Sequence, residues 1–335
     1  MTRPGEHGLY AVEVRLTRAC NQNCIHCSVS GGRPAGNELA TPEIFSILAE
    51  MAEMGVPYIT FTGGEPLLHP DLLKIVEKAA SLGLIPNLDT NGTLLTEEVA
   101  LKLKEAGLDR VQVSLDGTEG THDRIRGEGS FKEAVRGIKN AVGAGLKTSV
   151  NFTVSGLNLR ELEAVADLAQ GLGADTLSLE RFISTGRGRT SGIPPLEPRE
   201  FREVLTELYG LQPRFKIKLT TTDPLRVLVL EDLQMEYADE MERRICGGCT
   251  AGIAALTVSF DGEVYPCPKV PHPLGNIREE SLFKLWVENM ALEPFRMRTF
   301  EGKCKTCPLL NICGGCRAEA LARGEIFGED PLCWK

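Results

Sequence analysis

Cys20-Asn21-Gln22-Asn23-Cys24-Ile25-His26-Cys27 places three thiols within eight residues, directly after the alternating apolar run Tyr10 to Leu16, which reads as a buried strand. A structural zinc site takes four closed ligands, usually as two separated cysteine pairs. Three thiolates on one short loop can instead hold three irons of a cubane and leave the fourth iron open to a small molecule. Spacing alone leaves both readings standing. A second strand-like run, Tyr58 to Phe61, ends in Gly63-Gly64-Glu65-Pro66. The glycines of that turn let backbone approach a ligand closely, although a plain strand-to-helix turn has the same composition.

From Leu9 to about Leu219, short β-branched runs alternate with amphipathic stretches, the pattern of successive βα units in a parallel sheet. Strands are read near 10–16, 57–61, 84–88, 110–115, 147–153 and 175–180. Thr41-Pro42-Glu43 reads as a cap, a first-turn proline and a first-turn acid, opening a helix that runs to Met54. Thr96-Glu97-Glu98 opens another, and Gly107, Gly145 and Gly173 mark helix exits. Six such units are too few for a closed eight-stranded barrel and fit an open, partial (β/α)6 barrel of the TIM type in the α/β class. The strand ends are polar or glycine-rich, among them Asp89 to Thr93, Ser114-Leu115-Asp116-Gly117, Asn151-Phe152-Thr153 and Glu180-Arg181. Active sites of barrel sheets lie on that carboxyl rim. Ser184 to Pro198 is full of breakers and reads as a mobile loop. Residues 199–210 read as a helix, 215–220 as a strand and 226–245 as a charged helical connector.

The 335 residues are 42% apolar, ample for a buried core, and a net charge of −9 argues against nucleic acid as the main partner. The first twenty residues carry no basic-then-apolar signal, and no apolar run reaches the roughly eighteen residues that span a bilayer. The expected compartment is the cytoplasm, with no membrane partner. Eleven cysteines without an export signal point to metal rather than disulfides. Three lie at 20–27, none between 28 and 245, and eight at 246, 249, 267, 304, 307, 313, 316 and 333. Groups of three, four and four suit one open and two closed clusters, while two zinc knuckles remain the plainer reading of the last eight. Phe260 to Cys267 reads as a hairpin around Asp261-Gly262. Trp286 and Trp334 read as packing residues.

The triplet Cys20-x3-Cys24-x2-Cys27, together with Gly63-Gly64-Glu65-Pro66, resembles the radical S-adenosylmethionine (SAM) enzymes. Cys249, Gly262, Cys267, Cys304-x2-Cys307-x5-Cys313-x2-Cys316 and Cys333 resemble the SPASM auxiliary-cluster domain, except that two residues rather than three separate the last pair. The resemblance implies a radical SAM barrel over 1–225, the connector 226–245, a SPASM domain over 246–335, and three [4Fe-4S] clusters. It implies that Cys20, Cys24 and Cys27 hold the cluster whose fourth iron is chelated by SAM. One electron then releases methionine and a 5′-deoxyadenosyl radical, which takes hydrogen from the substrate.

The same resemblance has Gly63, Gly64, Glu65 and Pro66 hold the SAM ammonium group and sets His26 near the adenine. Asn91, Ser114, Asp116 and Asn151 fall where related enzymes contact ribose or amino acid groups, and Arg126 where an arginine faces the SAM carboxylate. A turn, cap or surface role is the alternative for each of these. Interleaved ligation would give Cys246, Cys249, Cys267 and Cys316 to one auxiliary cluster and Cys304, Cys307, Cys313 and Cys333 to the other.

Leu274-Gly275-Asn276-Ile277, Cys313-Gly314-Gly315-Cys316 with Glu329 to Cys333, and Thr185-Gly186-Arg187-Gly188 are most similar to one branch. It contains the enzymes of heme d1 and alternative heme biosynthesis, the mycofactocin maturase and related peptide maturases. That branch implies hydrogen abstraction from a peptide or cofactor precursor, as in crosslinking, thioether formation or oxidative decarboxylation. Side-chain modification of a tetrapyrrole is the alternative substrate reading, and a non-catalytic iron-sulfur electron carrier is the reading from another class. Nineteen residues precede Cys20 and two follow Cys333, so no fused recognition domain is expected. A peptide substrate then implies direct binding or a separate recognition protein, and the chemistry implies a low-potential donor such as flavodoxin or ferredoxin. Arg187 and Arg189 are candidates for pairing with propionates or acidic leader residues, with loop solvation the plainer alternative.

Overall fold

The computed structural model describes residues 8–235 and 248–335; Cys246 and the second half of the expected connector lie outside them. β1 (Ala11–Arg15), β2 (Tyr58–Thr62), β3 (Ile85–Thr90), β4 (Arg110–Ser114), β5 (Lys147–Val154), β6 (Thr176–Arg181) and β7 (Lys218–Thr221) are parallel neighbours in chain order. The helices between them are α1 (Thr41–Glu53), α2 (Leu72–Ser81), α3 (Glu97–Glu105), α4 (Glu119–Arg126), α5 (Ser130–Gly143), α6 (Leu162–Gly171) and α7 (Pro198–Leu211). All but α4 bury an apolar stripe, such as Ile44, Ile47, Leu48 and Met51 of α1, which packs against the outward strand residues Val12, Val14, Ile59 and Phe61. In a parallel sheet so covered, the other strand face must line the interior. Here that face carries Glu13, Arg15, Asp89, Gln112, Asn151 and Glu180.

The cysteine-rich segment extends this sheet. β8 (Ala255–Val258) pairs parallel with β1, from Ala11↔Ala255 to Val14↔Val258. β9 (Glu263–Tyr265) and β10 (Gly275–Asn276) then continue antiparallel, through a hairpin whose Gly262 stands at φ +86°. The sheet stays open, with β10 and β7 as its edges. Trp286 is fully buried, and the Leu282 N–H donates to Glu50 of α1 at 2.7 Å, which fastens this segment to the barrel's outer layer.

Two sequence expectations change. Thr41 lies inside α1 rather than capping it; Ala40 is the N-cap, its N–H donates to Glu43 at 2.7 Å, and the Thr41 hydroxyl turns to Asp71 at 2.8 Å. The start of the expected connector is α8 (Arg226–Asp232), whose Val227, Leu228 and Val229 are core residues packed by α7.

Candidate active site

The Cys20–Cys27 loop leaves β1 and is clamped from two sides. On one side, Gly64 N–H donates to Thr17 O and Glu65 N–H to Ala19 O, both at 2.7 Å. A Cβ on Gly64 would meet Ala19 O at 2.3 Å, so this approach requires glycine. On the other side, Arg187 donates to Cys24 O at 3.2 Å and Gly31 O at 2.5 Å, and its own N–H to Cys27 O at 2.9 Å. Arg187 therefore holds the cysteine loop and is not a free cation for substrate, and the first half of the expected mobile loop is pinned. Arg189 is exposed.

Cys20, Cys24 and Cys27 lie close enough for their charges to interact, and burial pushes the Cys24 thiol up to about 11. A metal that displaces those protons stabilises the thiolates directly. His26, Gly63, Gly64, Asn91, Ser114, Arg126 and Asn151 line one cavity of about 580 Å³ with them. Glu65, Pro66 and Asp116 are buried beside it and are not among its lining residues. Glu65 is fully buried and accepts from the Thr90 hydroxyl at 2.7 Å, Asn91 N–H at 2.9 Å and Leu67 N–H at 3.1 Å, tying the glycine turn to the end of β3. Burial raises its carboxyl while these three donors act the other way.

Asp116 is likewise fully buried. Arg126 Nε lies 2.6 Å and His26 Nε2 3.0 Å from its Oδ2, and Thr153 N–H donates to Oδ1 at 2.9 Å. Burial alone would raise its pKa, yet the Arg126 guanidinium and His26 hold it far below the usual carboxylate range. Asn91 is fixed by Asn21 at 2.9 Å and by the Thr93 N–H at 2.9 Å. By contrast Gln22 Nε2, His26 Nδ1 and Asn151 Oδ1 are buried at this cavity without a hydrogen-bond partner among the described residues. Soft thiolate donors beside unpartnered polar atoms fit an iron-sulfur cluster with a polar ligand such as SAM.

The cavity's far wall is the cysteine-rich segment: Cys249, Cys267 and Cys316 line it too. Cys304, Cys307, Cys313 and Cys333 stand apart from it, with Cys333 near Cys304 and Cys313 near Cys333. Burial pushes Cys267 and Cys313 up to about 12. All ten described cysteines are free thiols.

Sequence reading named Asp89 and Glu180 only as rim residues and passed over Glu13, Arg15 and Lys269. Lys269 bonds Glu180 at 2.7 Å; Arg15 Nε lies 3.4 Å from Glu13 and its guanidinium bonds Pro268 O. Asp89 has no protein partner among the described residues, and burial with Glu13 and Glu180 pushes its carboxyl up to about 8.

Residues 14–169 match the radical SAM superfamily model and 249–308 the SPASM iron-sulfur cluster-binding domain. The AdoMet-dependent heme synthase of Methanosarcina barkeri is 35% identical over 331 residues, 95% of this chain and 94% of that protein. The chain belongs to the radical SAM superfamily. Its members among curated relatives include the mycofactocin maturase MftC of Mycobacterium tuberculosis, 32% identical over 95% of this chain and 81% of that protein. In fold, this radical SAM enzyme is similar to Streptococcus suis SuiB bound to S-adenosylmethionine (TM-score 0.80, 17% identity, 98% of this chain and 77% of that one). It is also similar to anSMEcpe with bound AdoMet (TM-score 0.74, 20% identity, 97% and 94%). No helix among the described residues is long and apolar enough to cross a membrane.

Proposed function

We propose that this enzyme matures a peptide or peptide-derived cofactor precursor in the cytoplasm, with 1–225 as the catalytic barrel and 246–335 as the auxiliary module. When bound, a cluster on Cys20, Cys24 and Cys27 together with SAM supplies the 5′-deoxyadenosyl radical that removes hydrogen from the substrate. The chain's own residues position that chemistry. Gly63 and Gly64 would form part of the wall that holds SAM, Asn151 and Ser114 would offer it polar atoms, and Arg126, aligned by Asp116, would supply a cation for its carboxylate. Glu65 and Asp116 act by orientation.

The observation that carries the reading is one chamber walled by both Cys20, Cys24, Cys27 and Cys249, Cys267, Cys316. A substrate there sits between two iron-sulfur sites, with Cys246 the remaining candidate ligand of the second. Cys304, Cys307, Cys313 and Cys333 are assigned to a third. Apart from Arg126, assigned above to SAM, the arginines and lysines lining the chamber already face acids: Arg15 faces Glu13, Arg181 faces Asp223 and Asp330, and Lys269 faces Glu180. That favours a peptide over a carboxylate-rich group at depth. The length of the match to the heme synthase favours the second reading, a tetrapyrrole side chain. A flavodoxin or ferredoxin is the proposed donor and a separate recognition protein a proposed peptide partner.

The test is anaerobic reconstitution of wild type and Cys24→Ala, following iron and 5′-deoxyadenosine formed from SAM with dithionite. About twelve irons in the wild type, about eight in the variant and cleavage only in the wild type support three cubanes with one open. Deuterium transfer into 5′-deoxyadenosine from labelled synthetic peptides or from iron coproporphyrin then separates the two substrates. Full iron without SAM cleavage would point instead to an electron carrier.

A further inference from the structure

Arg181 ends β6 at the seam between barrel and cysteine-rich segment, and its side chain is 2% exposed. Its guanidinium is engaged on all sides. Nη2 lies 2.6 Å from Asp223 Oδ1, Nε bonds Asp223 Oδ2, and Nη1 lies 3.0 Å from each oxygen of Asp330. The Phe201 ring of α7 covers its face at 4.6 Å. Asp330 also accepts the Cys316 N–H at 2.8 Å and the Leu332 N–H at 3.0 Å, while its carbonyl accepts the Cys333 N–H at 3.0 Å. Gly315 passes so close that a Cβ there would lie 2.8 Å from the Asp330 Cβ. One carboxylate thus fixes the Cys316 and Cys333 turns to each other and, through Arg181, to the barrel.

Asp330 accepts the Cys316 N–H at 2.8 Å and binds Arg181 at 3.0 Å, so both charges stand beside the Cys316 turn, with Asp223 on the other edge of the guanidinium; Lys269, two residues from Cys267 and bonded to Glu180 at 2.7 Å, is the other cation on that wall. Arg181 and Asp223 make no hydrogen bond to any described cysteine, so their influence on these is that of fixed charges closed off from water. A cluster gains negative charge on reduction, so a nearby cation raises its potential and a nearby anion lowers it, most strongly where water does not screen the charge. The geometry points to Arg181, clamped by Asp223 and Asp330, as the positioning residue that sets the reduction potential of the iron-sulfur site at Cys249, Cys267 and Cys316. This rests on the auxiliary-cluster reading above. It implies that an electron entering or leaving that site does so beside the chamber, at a potential governed by barrel residues.

The test uses the full chain, reconstituted anaerobically in a Cys24→Ala background so that only auxiliary signals remain, with redox titration followed by electron paramagnetic resonance. The relevant signal is the one lost on Cys267→Ala. Arg181→Gln is expected to lower its midpoint and Asp223→Asn to raise it. Arg181→Lys, which keeps the charge, is expected to stay near wild type, and the other auxiliary signal to stay in place in all three. Generic loosening of the fold would move both neutral variants in one direction or broaden both signals. Shifts of the same sign, equal shifts of both signals, or no shift with iron intact would overturn the assignment. If Arg181→Gln fails to assemble its cluster, a raised midpoint in Asp223→Asn with Arg181→Lys near wild type still decides it, and no shift in Asp223→Asn overturns the assignment. Absence of auxiliary iron in the Cys24→Ala parent would instead overturn the underlying reading.

Discussion

Replacing Gly64 by alanine tests the clamp between the glycine turn and the cysteine loop. The added Cβ would stand 2.3 Å from Ala19 O and 2.5 Å from Arg18 O. Both are backbone atoms, so no side chain can swing aside. Real Cβ contacts do not fall below 3.0 Å, so the two segments must part by about 0.7 Å. The hydrogen bonds at risk are Gly64 N–H to Thr17 O and Glu65 N–H to Ala19 O, and Gly31 closes the opposite side. Overpacking of this kind costs about 1–3 kcal/mol of stability. A displacement approaching 1 Å at a site that aligns reacting atoms costs on the order of 100-fold in rate. Dithionite-driven formation of 5′-deoxyadenosine should therefore fall about 100-fold in Gly64→Ala. Iron per chain should hold, because all cysteines remain, and anaerobic unfolding should shift by the stated amount. Wild-type cleavage at wild-type stability would refute the reasoning, since it would mean that the turn does not set the geometry of the loop.

Three further outcomes follow from the same interactions. Asp116→Asn leaves Arg126 buried beside a neutral amide and should cost about 3–5 kcal/mol in anaerobic urea unfolding at neutral pH. Asp116 is held below its unfolded value, so its contribution is complete above about pH 4 and wanes below it; the deficit of the variant should shrink there. Asp89→Asn should do the reverse. A carboxyl held up at about 8 keeps its proton in the folded state after the unfolded chain has lost it, which erodes stability as pH rises from about 4 to 8. The variant should gain about 1–3 kcal/mol over wild type at pH 8 and nothing near pH 4, checked by melts across that range. Arg187→Ala removes two charge-assisted bonds to the cysteine loop, each worth about 1.5–3 kcal/mol. A chelator should then strip about four irons faster than in wild type and leave the other eight at the wild-type rate.

The strands β1 to β6 were legible because alternation survives in a sheet covered by helices, and the glycine exits at Gly107, Gly145 and Gly173 all take positive φ. What the alternation conceals is which face the charges occupy. In Tyr10-Ala11-Val12-Glu13-Val14-Arg15-Leu16 the charged positions look solvent-facing, yet a parallel strand has helices on its apolar side and the barrel interior on the other. Glu13 and Arg15 therefore point inward, and that rule applied to the sequence would have found them. The pairing of β8 with β1 had no local signal, since parallel register between segments some 240 residues apart is set by tertiary fit. Glu65 and Asp116 stood in the right turns, but a motif gives the position of a carboxylate and not its direction. Burial and the surrounding donors set that direction. Arg187 misled for a related reason: in a breaker-rich loop an arginine reads as free, and only the carbonyls of Cys24 and Gly31 show what it holds.

The pairing of β8 with β1 bears directly on how the two cysteine sets can work together. Hydrogen-bonded strands lie about 4.8 Å apart, and β8 runs residue for residue along the strand that leads into the Cys20 loop. From β8 the hairpin returns through β9 to Cys267, whose neighbours are then tied across the barrel opening: Pro268 by Arg15 of β1 and Lys269 by Glu180 of β6. The Cys267 turn thereby serves as the wall that six βα units leave unbuilt. Its separation from Cys20, Cys24 and Cys27 is set by sheet geometry, by the hydrogen bond from Arg15 to Pro268 O and by the Lys269–Glu180 ion pair. Such a wall cannot drift with the flexing of a linker, so a substrate held against it keeps a constant distance to both sulfur sites. On the function proposed above, electron transfer and hydrogen abstraction would both depend steeply on distance, and this arrangement fixes the two distances with a single sheet.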